Sequence, residues 1–297
     1  MNNIPSIYEF LLWNNCKNSC EFCHQKANKI KYPEKFLTDE NKFNSIEMVK
    51  QFIFDKRLPN GSHILFMGGE LFDTKLSNKT EKNFLELAEL VSNKMLKNEI
   101  GFLYVNSNLI YTDTTLLYNF LNIFTNKKLE ERIKFTTSYD FAYRYHDVRD
   151  RLTVENNMVR ISSDYPNMSK VANCILTNKT CEFLSKNINY ISKFLFEFNF
   201  VLNLIPYIQL HSYIAAKRSD ILSLLIKIEE QYPTYMQRYM KNLSINQDRI
   251  LLEYNGTEFK SASSKNAICG HNENFRKVYP NDSRCFICDC INLFNIL

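Results

Sequence analysis

Leu12-Trp13-Asn14-Asn15-Cys16-Lys17-Asn18-Ser19-Cys20-Glu21-Phe22-Cys23-His24 follows an apolar run that reads as a strand, Ile7 to Trp13. Its three cysteines are spaced C-x3-C-x2-C. Three thiolates on one loop can hold three corners of a cubane iron–sulfur cluster, and they leave the fourth iron open. An open position on a bound metal marks a reacting centre, the same contrast that separates catalytic from structural zinc. The alternative is a zinc site made by Cys16, Cys20, Cys23 and His24. His24 adjoins Cys23, so those two side chains would need a strained loop to meet one tetrahedral ion.

Working outward, apolar runs alternate with helical periodicity. Thr38 or Asp39 can cap a helix from Glu40 to Lys56, with Phe43, Ile46, Val49, Phe52 and Ile53 on one face. Pro59-Asn60-Gly61 is a turn, and His63–Met67 a buried strand. A helix from Thr80 to Leu96, a strand Ile100–Val105, a helix Thr112–Phe124 and a strand Ile133–Thr137 follow. A helix is expected over Phe141–Leu152, while Glu155–Ser169 reads as a loop or insertion. Val171–Leu176 is a fifth strand, Thr180–Phe196 a helix, Phe198–Ile205 a sixth strand stopped by Pro206, and Ser219–Gln231 a long helix continuing toward Leu243.

Six such alternations predict βαβ units on a parallel sheet, an α/β fold. Right-handed crossovers curl them into an open, partial (β/α)6 TIM-like barrel. The composition changes after Asn242. Ile250–Tyr254, the turn Asn255-Gly256 and Glu258–Lys260 signal a hairpin. The expected organisation is a barrel over 1–242 and a small C-terminal cysteine-rich auxiliary module over 243–297, too small to be stable without a metal or the barrel to pack on.

Ligands of α/β barrels sit at the carboxyl ends of the strands. The suggestive residues fall there. The cysteine loop follows strand one, and Gly68-Gly69-Glu70 strand two. Ser107-Asn108 follows strand three, and Ser138-Tyr139-Asp140 strand four. Asn178 follows strand five, and Pro206-Tyr207 strand six.

The cysteine spacing resembles the signature of radical S-adenosylmethionine (radical SAM) enzymes, in which the open iron chelates the amino and carboxylate groups of S-adenosylmethionine. Phe22, just before Cys23, stands where that family carries an aromatic residue near the adenine. Phe66-Met67-Gly68-Gly69-Glu70 resembles the family's glycine-glycine-glutamate motif. Residues without side chains let the backbone approach a ligand, and Glu70 can accept a charge-assisted hydrogen bond from the cofactor's ammonium. The plain reading of that motif is a Gly-Gly turn with a surface glutamate. Val105-Asn106-Ser107-Asn108-Leu109 is similar to the threonine-asparagine-glycine segment, with Ser107 for threonine and Leu109 for glycine; Asn108 contacts substrate or closes a turn.

Thr137-Ser138-Tyr139-Asp140-Phe141, with His146-Asp147, resembles a pattern of the branch that carries a SPASM or shortened twitch auxiliary-cluster module. The resemblance implies Ser138 near the ribose and Asp140 orienting substrate or taking a proton, against the simpler role of capping a helix. The branch's arginine has Arg149 and Arg151 as candidates. Cys269, Cys285, Cys288 and Cys290, spaced C-x15-C-x2-C-x-C, resemble the twitch module's cluster ligands, with a zinc ribbon as the alternative. Cys174 and Cys181 read as small buried hydrophobes. His63, His211 and His271 have no spacing that favours a metal, and Tyr143, Arg144, Tyr145, Tyr207 and His211 are candidates for a cavity wall.

The chain has 297 residues, 45% hydrophobic and 23% charged, with a formal net charge of +5, which fits an ordinary globular protein rather than a nucleic-acid binder. No secretory signal or membrane span is read, and nine cysteines without an export signal point to metal binding in the cytoplasm. The resemblance implies a [4Fe-4S] cluster, S-adenosylmethionine and a second [4Fe-4S] cluster, with an electron donor such as flavodoxin or ferredoxin. A deoxyadenosyl radical would then abstract hydrogen from a peptide or protein side chain. A carbohydrate or nucleoside-like small molecule is the alternative substrate, and a zinc-stabilised non-catalytic binding module the alternative of another class.

Overall fold

The computed structural model describes residues 7–13, 16, 18, 20, 38–55, 58–73, 75–145, 147–206, 214–235, 249–254 and 259–264. The chain forms an α/β fold around one sheet. Its strands are β1 (Ile7–Leu11), β2 (Ser62–Met67), β3 (Ile100–Ser107), β4 (Ile133–Tyr139), β5 (Ser169–Leu176), β6 (Val201–Pro206), β7 (Arg249–Tyr254) and β8 (Phe259–Ser264). They lie in the order β6-β5-β4-β3-β2-β1-β7-β8. All pairs from β6 through β1 to β7 are parallel, and β8 returns antiparallel to β7. From β1 to β6 each crossover steps to the next strand in the same direction. That is the order of a barrel, without the reversal of a doubly wound sheet, and it is compatible with a partial TIM-like barrel.

The helices are α1 (Asp39–Phe54), α2 (Asn78–Leu96), α3 (Thr115–Thr125), α4 (Val148–Asp164), α5 (Asn178–Lys186) and α6 (Arg218–Gln231). Thr38 caps α1 by accepting from Asn41 N at 3.2 Å, and Ser77 caps α2 by accepting from Thr80 N at 3.2 Å. Asp39 joins the two starts: its carboxylate accepts from Ser77 N and Oγ and from Thr80 Oγ1 at 2.6–2.9 Å. Those donors hold its carboxyl below the usual range despite the opposing effect of burial.

The helical layer buries one face of the sheet. Ile64 and Phe66, Leu103 and Val105, Phe135 and Tyr139, Ala172 and Cys174, and Leu202 and Leu204 are each at most 1% exposed. Period-two alternation sends the residues between them to the other face. Phe84 of α2 stacks on Phe120 of α3 at 5.2 Å, and Phe66, Phe72 and Phe124 meet Phe120 around its edge.

Four expectations change. The fourth helix is Val148–Asp164 rather than Phe141–Leu152, because Asp147 is its cap, accepting from Asp150 N at 3.1 Å. Much of the unassigned Glu155–Ser169 stretch is therefore helix. The helix expected over Thr180–Phe196 ends at Lys186, and a short turn at Tyr190–Ser192 runs into a wide helical turn, Lys193–Glu197. Asn199 takes a left-handed φ of 50°, so β6 starts at Val201 and not at Phe198. The hairpin read in the sequence is present, but β7 lies beside β1, from Ile7↔Arg249 to Leu11↔Glu253, and extends the same sheet. Residues 265–297 lie outside the described residues.

Truncating Phe120, fully buried among four rings, is expected to cost about 3–5 kcal/mol. Phe54→Ala, at a site 73% exposed, should change stability by less than about 0.5 kcal/mol. Urea titration of the two variants checks the contrast.

Candidate functional site at the carboxyl ends of the strands

The loop after β1 enters the site through Trp13. Its carbonyl accepts from Gly69 N at 2.8 Å, and its indole N–H donates to the Glu70 carbonyl at 3.1 Å. A Cβ on Gly68 would lie 2.6 Å from the Trp13 carbonyl oxygen and 2.9 Å from Leu71 Cδ2. The expectation was that these glycines admit a ligand. At Gly68 the close approach is made by the chain's own backbone, which locks the start of the cysteine loop to the end of β2.

Glu70 is no surface residue: it is 2% exposed. Its Oε1 accepts from Phe72 N at 3.1 Å and Ser107 Oγ at 2.9 Å, and its Oε2 from Asn108 N at 2.5 Å. Burial raises its pKa to about 7, the dominant effect, against the three donors. Ser107 also shares a hydrogen bond of 2.9 Å with the buried Tyr111 hydroxyl. Leu109 takes a φ of 57°, a left-handed conformation at the position where the resemblance expects glycine. The bend faces Asn108 N toward Glu70 and closes a local turn, in which Asn108 Oδ1 accepts from Ile110 N at 2.8 Å.

Both described cysteines of the loop receive N–H groups from later strand ends. Asn108 Nδ2 lies 3.7 Å from Cys16 Sγ, and Arg144 Nη1 lies 3.6 Å from Cys20 Sγ. Cys20, 4% exposed, forms a small cluster with Ile214, with Tyr143, Ile175 and Ala215 packed against it. The arginine at the cysteines is thus Arg144. Arg149 pairs with Asp147 at the surface, and Arg151 with Glu155.

Asp140 does not cap α4. Its Oδ1 accepts from Ala142 N at 2.8 Å and from Thr180 Oγ1 at 3.4 Å, and its buried Oδ2 has no hydrogen-bond partner among the described residues. Burial raises its pKa, partly offset by the Ala142 N–H and then by the Arg144 charge. Ser138 stands half-buried on β4, on the face away from the helices. Asn178 accepts from Tyr143 OH at 3.0 Å.

Cys174 and Cys181 are buried, and burial pushes both thiols up, Cys181 to about 12, so both are inert packing residues. His63 is a satisfied histidine, with Nδ1 3.4 Å from Tyr104 OH and its ring edge-on to Phe102. Phe22, Cys23, His24, His146, Tyr207, His211, Cys269, His271, Cys285, Cys288 and Cys290 lie outside the described residues. Among the described residues, no group of three or more His, Cys, Asp and Glu side chains is placed to hold a metal. Two residues that sequence reasoning missed are Asn173 and Asn203. Each is an asparagine in the middle of an apolar strand, and that pattern was the available signal.

The fold favours protonated Glu70, so this group's contribution to stability is greatest below about pH 4.5 and is lost as pH rises toward 7. Relative to Glu70→Gln, the ligand-free protein should lose roughly 3 kcal/mol across that window. Denaturant melts at a series of pH values read the slope, and a pH-independent difference would mean that the carboxyl ionises normally. No protein-family model and no curated protein sequence matches the chain.

Proposed function

We propose that this chain is a radical SAM enzyme acting on a peptide or protein side chain, with Cys16, Cys20 and Cys23 holding a [4Fe-4S] cluster. The observation that carries the reading is the approach of N–H donors from two different strand ends to Cys16 and Cys20, with the buried Glu70 holding the backbone of one of them, Asn108. Thiolates of a cluster are electron-rich, and N–H donors at sulfur suit them. Once bound, the cluster and S-adenosylmethionine supply one-electron cleavage of a carbon–sulfur bond and a carbon radical able to abstract hydrogen.

The chain's own residues have distinct tasks. Asn108 and Arg144 donate to the thiolates, which lowers their charge density and raises the reduction potential. Phe72 N, Ser107 Oγ and Asn108 N donate to the Glu70 carboxyl, a group that can also accept from an ammonium. A cation beside it favours the carboxylate, so cofactor binding near neutral pH is coupled to loss of its proton. Ser138 and Asp140, on the β4 side, are the groups for the ribose and substrate. Cys269, Cys285, Cys288 and Cys290 are the ligands of a second cluster, and flavodoxin or ferredoxin is the electron donor.

Anaerobic reconstitution should give about four iron and four sulfide per chain for one cluster and about eight of each for two. Zinc without sulfide would sink the proposal. Cys20→Ala should abolish reductive cleavage of S-adenosylmethionine. Arg144→Gln should lower the cluster's midpoint potential, read by redox titration with electron paramagnetic resonance; an unchanged potential would remove the arginine from the sulfur.

A further inference from the structure

The face of the sheet turned away from the helices carries an amide pair. Asn173 of β5 and Asn203 of β6 are register partners, and Asn203 Nδ2 donates to Asn173 Oδ1 at 2.9 Å. Ser138 of β4 stands in the same row, opposite Asn173. The flanking rows are apolar: Val171 opposite Val201 on one side, Ile175 opposite Ile205 on the other. All six residues of the three β5–β6 rows are half-buried, whereas Ala172, Cys174, Leu202 and Leu204 on the opposite face are sealed under the helices.

An asparagine carries one carbonyl and one NH2 group. The bond between the two residues uses one of each and leaves one of each, whichever way the amides are turned. Among the described residues, the bond between them is the one hydrogen bond that either side chain makes. An uncharged donor and an uncharged acceptor, one on each of two neighbouring strands, therefore stand in one row between apolar rows. The N–H and C=O of one residue of an extended peptide lie on the same edge of the chain and match that pair, as they do across an antiparallel ladder.

The row is also well placed. Ile175, two residues along β5 and on the same face, packs against the Cys20–Ile214 cluster. The amide pair is therefore about 7 Å below the level of the cysteine loop.

We propose that Asn173 and Asn203 form a substrate subsite that reads the backbone amides of a peptide beneath the cysteine loop. The subsite rests on the radical SAM reading for the chemistry done there, but not for the binding itself. The closing experiment uses the full chain and three probes: N-acetyl-trialanine amide, its analogue with the central amide replaced by an ester, and glucose. Ligand-observed NMR titration should show the amide bound about tenfold more tightly than the ester and glucose not bound, the scale of one or two hydrogen bonds. The Asn173→Leu/Asn203→Leu variant should lose about tenfold in peptide affinity. Should that variant not fold, as read by its thermal melt, Asn173→Ser is measured instead, with the same expected loss.

Equal affinity in the folded variant, equal affinity for the ester, no peptide binding, or binding of glucose instead would each overturn the subsite. Cleavage of S-adenosylmethionine by the unsubstituted protein is assayed separately. Its absence with amide-selective binding intact would overturn the radical reading and leave the subsite; its presence with amide-indifferent binding would do the reverse.

Discussion

A buried carboxylate ties three strand ends together, and the arrangement of the site depends on it. Glu70 lies almost wholly out of solvent, a placement that costs several kcal/mol for an ionised group without partners. Its neighbours reduce that cost from two directions. Phe72 N holds it to its own loop, while Ser107 Oγ and Asn108 N hold it to the end of β3. The backbone around Glu70 is pinned in turn to Trp13, at the start of the cysteine loop. The ends of β1, β2 and β3 therefore form one hydrogen-bonded unit. Leu109 is part of the arrangement: a non-glycine residue in the left-handed region costs on the order of 1 kcal/mol, and complete burial of its side chain holds it there.

The two faces of the sheet do different work. The covered face holds the aromatic and aliphatic core, with Phe66, Val105, Phe135, Cys174 and Leu204 under the helices. The open face carries Asn106, Thr136, Ser138, Asn173 and Asn203, all half-buried. A stable fold does not need those polar groups there, since valine or isoleucine would pack as well in the same rows, as Val171 and Ile205 do. The polarity is concentrated toward the strand ends that carry Cys16, Cys20, Glu70 and Asp140. At the opposite end of the same face, Lys134 sits 5.0 Å from the rings of Phe102 and Tyr104, and burial and that charge lower the His63 pKa, an arrangement of packing rather than chemistry.

Much of the fold was legible because the apolar runs are long and alternate cleanly with amphipathic stretches. All six strands from β1 to β6 were found, with their order. The errors share a cause. Phe141–Leu152 was read as a helix, with Asp140 as a candidate cap at its start. The cap that sets the helix register is Asp147, and choosing between two aspartates seven residues apart needs the tertiary contacts of each. The break after Lys186 has no proline or glycine to announce it. The parallel seating of β7 against β1 joins residues more than 200 positions apart, and no local pattern encodes it. In the candidate site, Glu70 and Asn108 were named from motif resemblance, but their bond to each other was not read. Arg144 was named only as a wall residue, since nothing in the sequence says that it reaches Cys20 across 124 positions.

The electrostatics of the site follow from where its charges sit. Arg144 lies between two acceptors, the Cys20 sulfur and the Asp140 carboxyl, and it draws the carboxyl pKa down while burial draws it up. A carboxyl with one oxygen engaged and the other buried without a partner among the described residues gains free energy when a donor arrives. Glu70 differs in its surroundings: Phe72 N, Ser107 Oγ and Asn108 N donate to it, while burial raises its pKa. On the proposed function, the Asp140 carboxyl would take a hydrogen-bond donor and the Glu70 carboxyl a cation, whose charge would offset the effect of burial on its pKa.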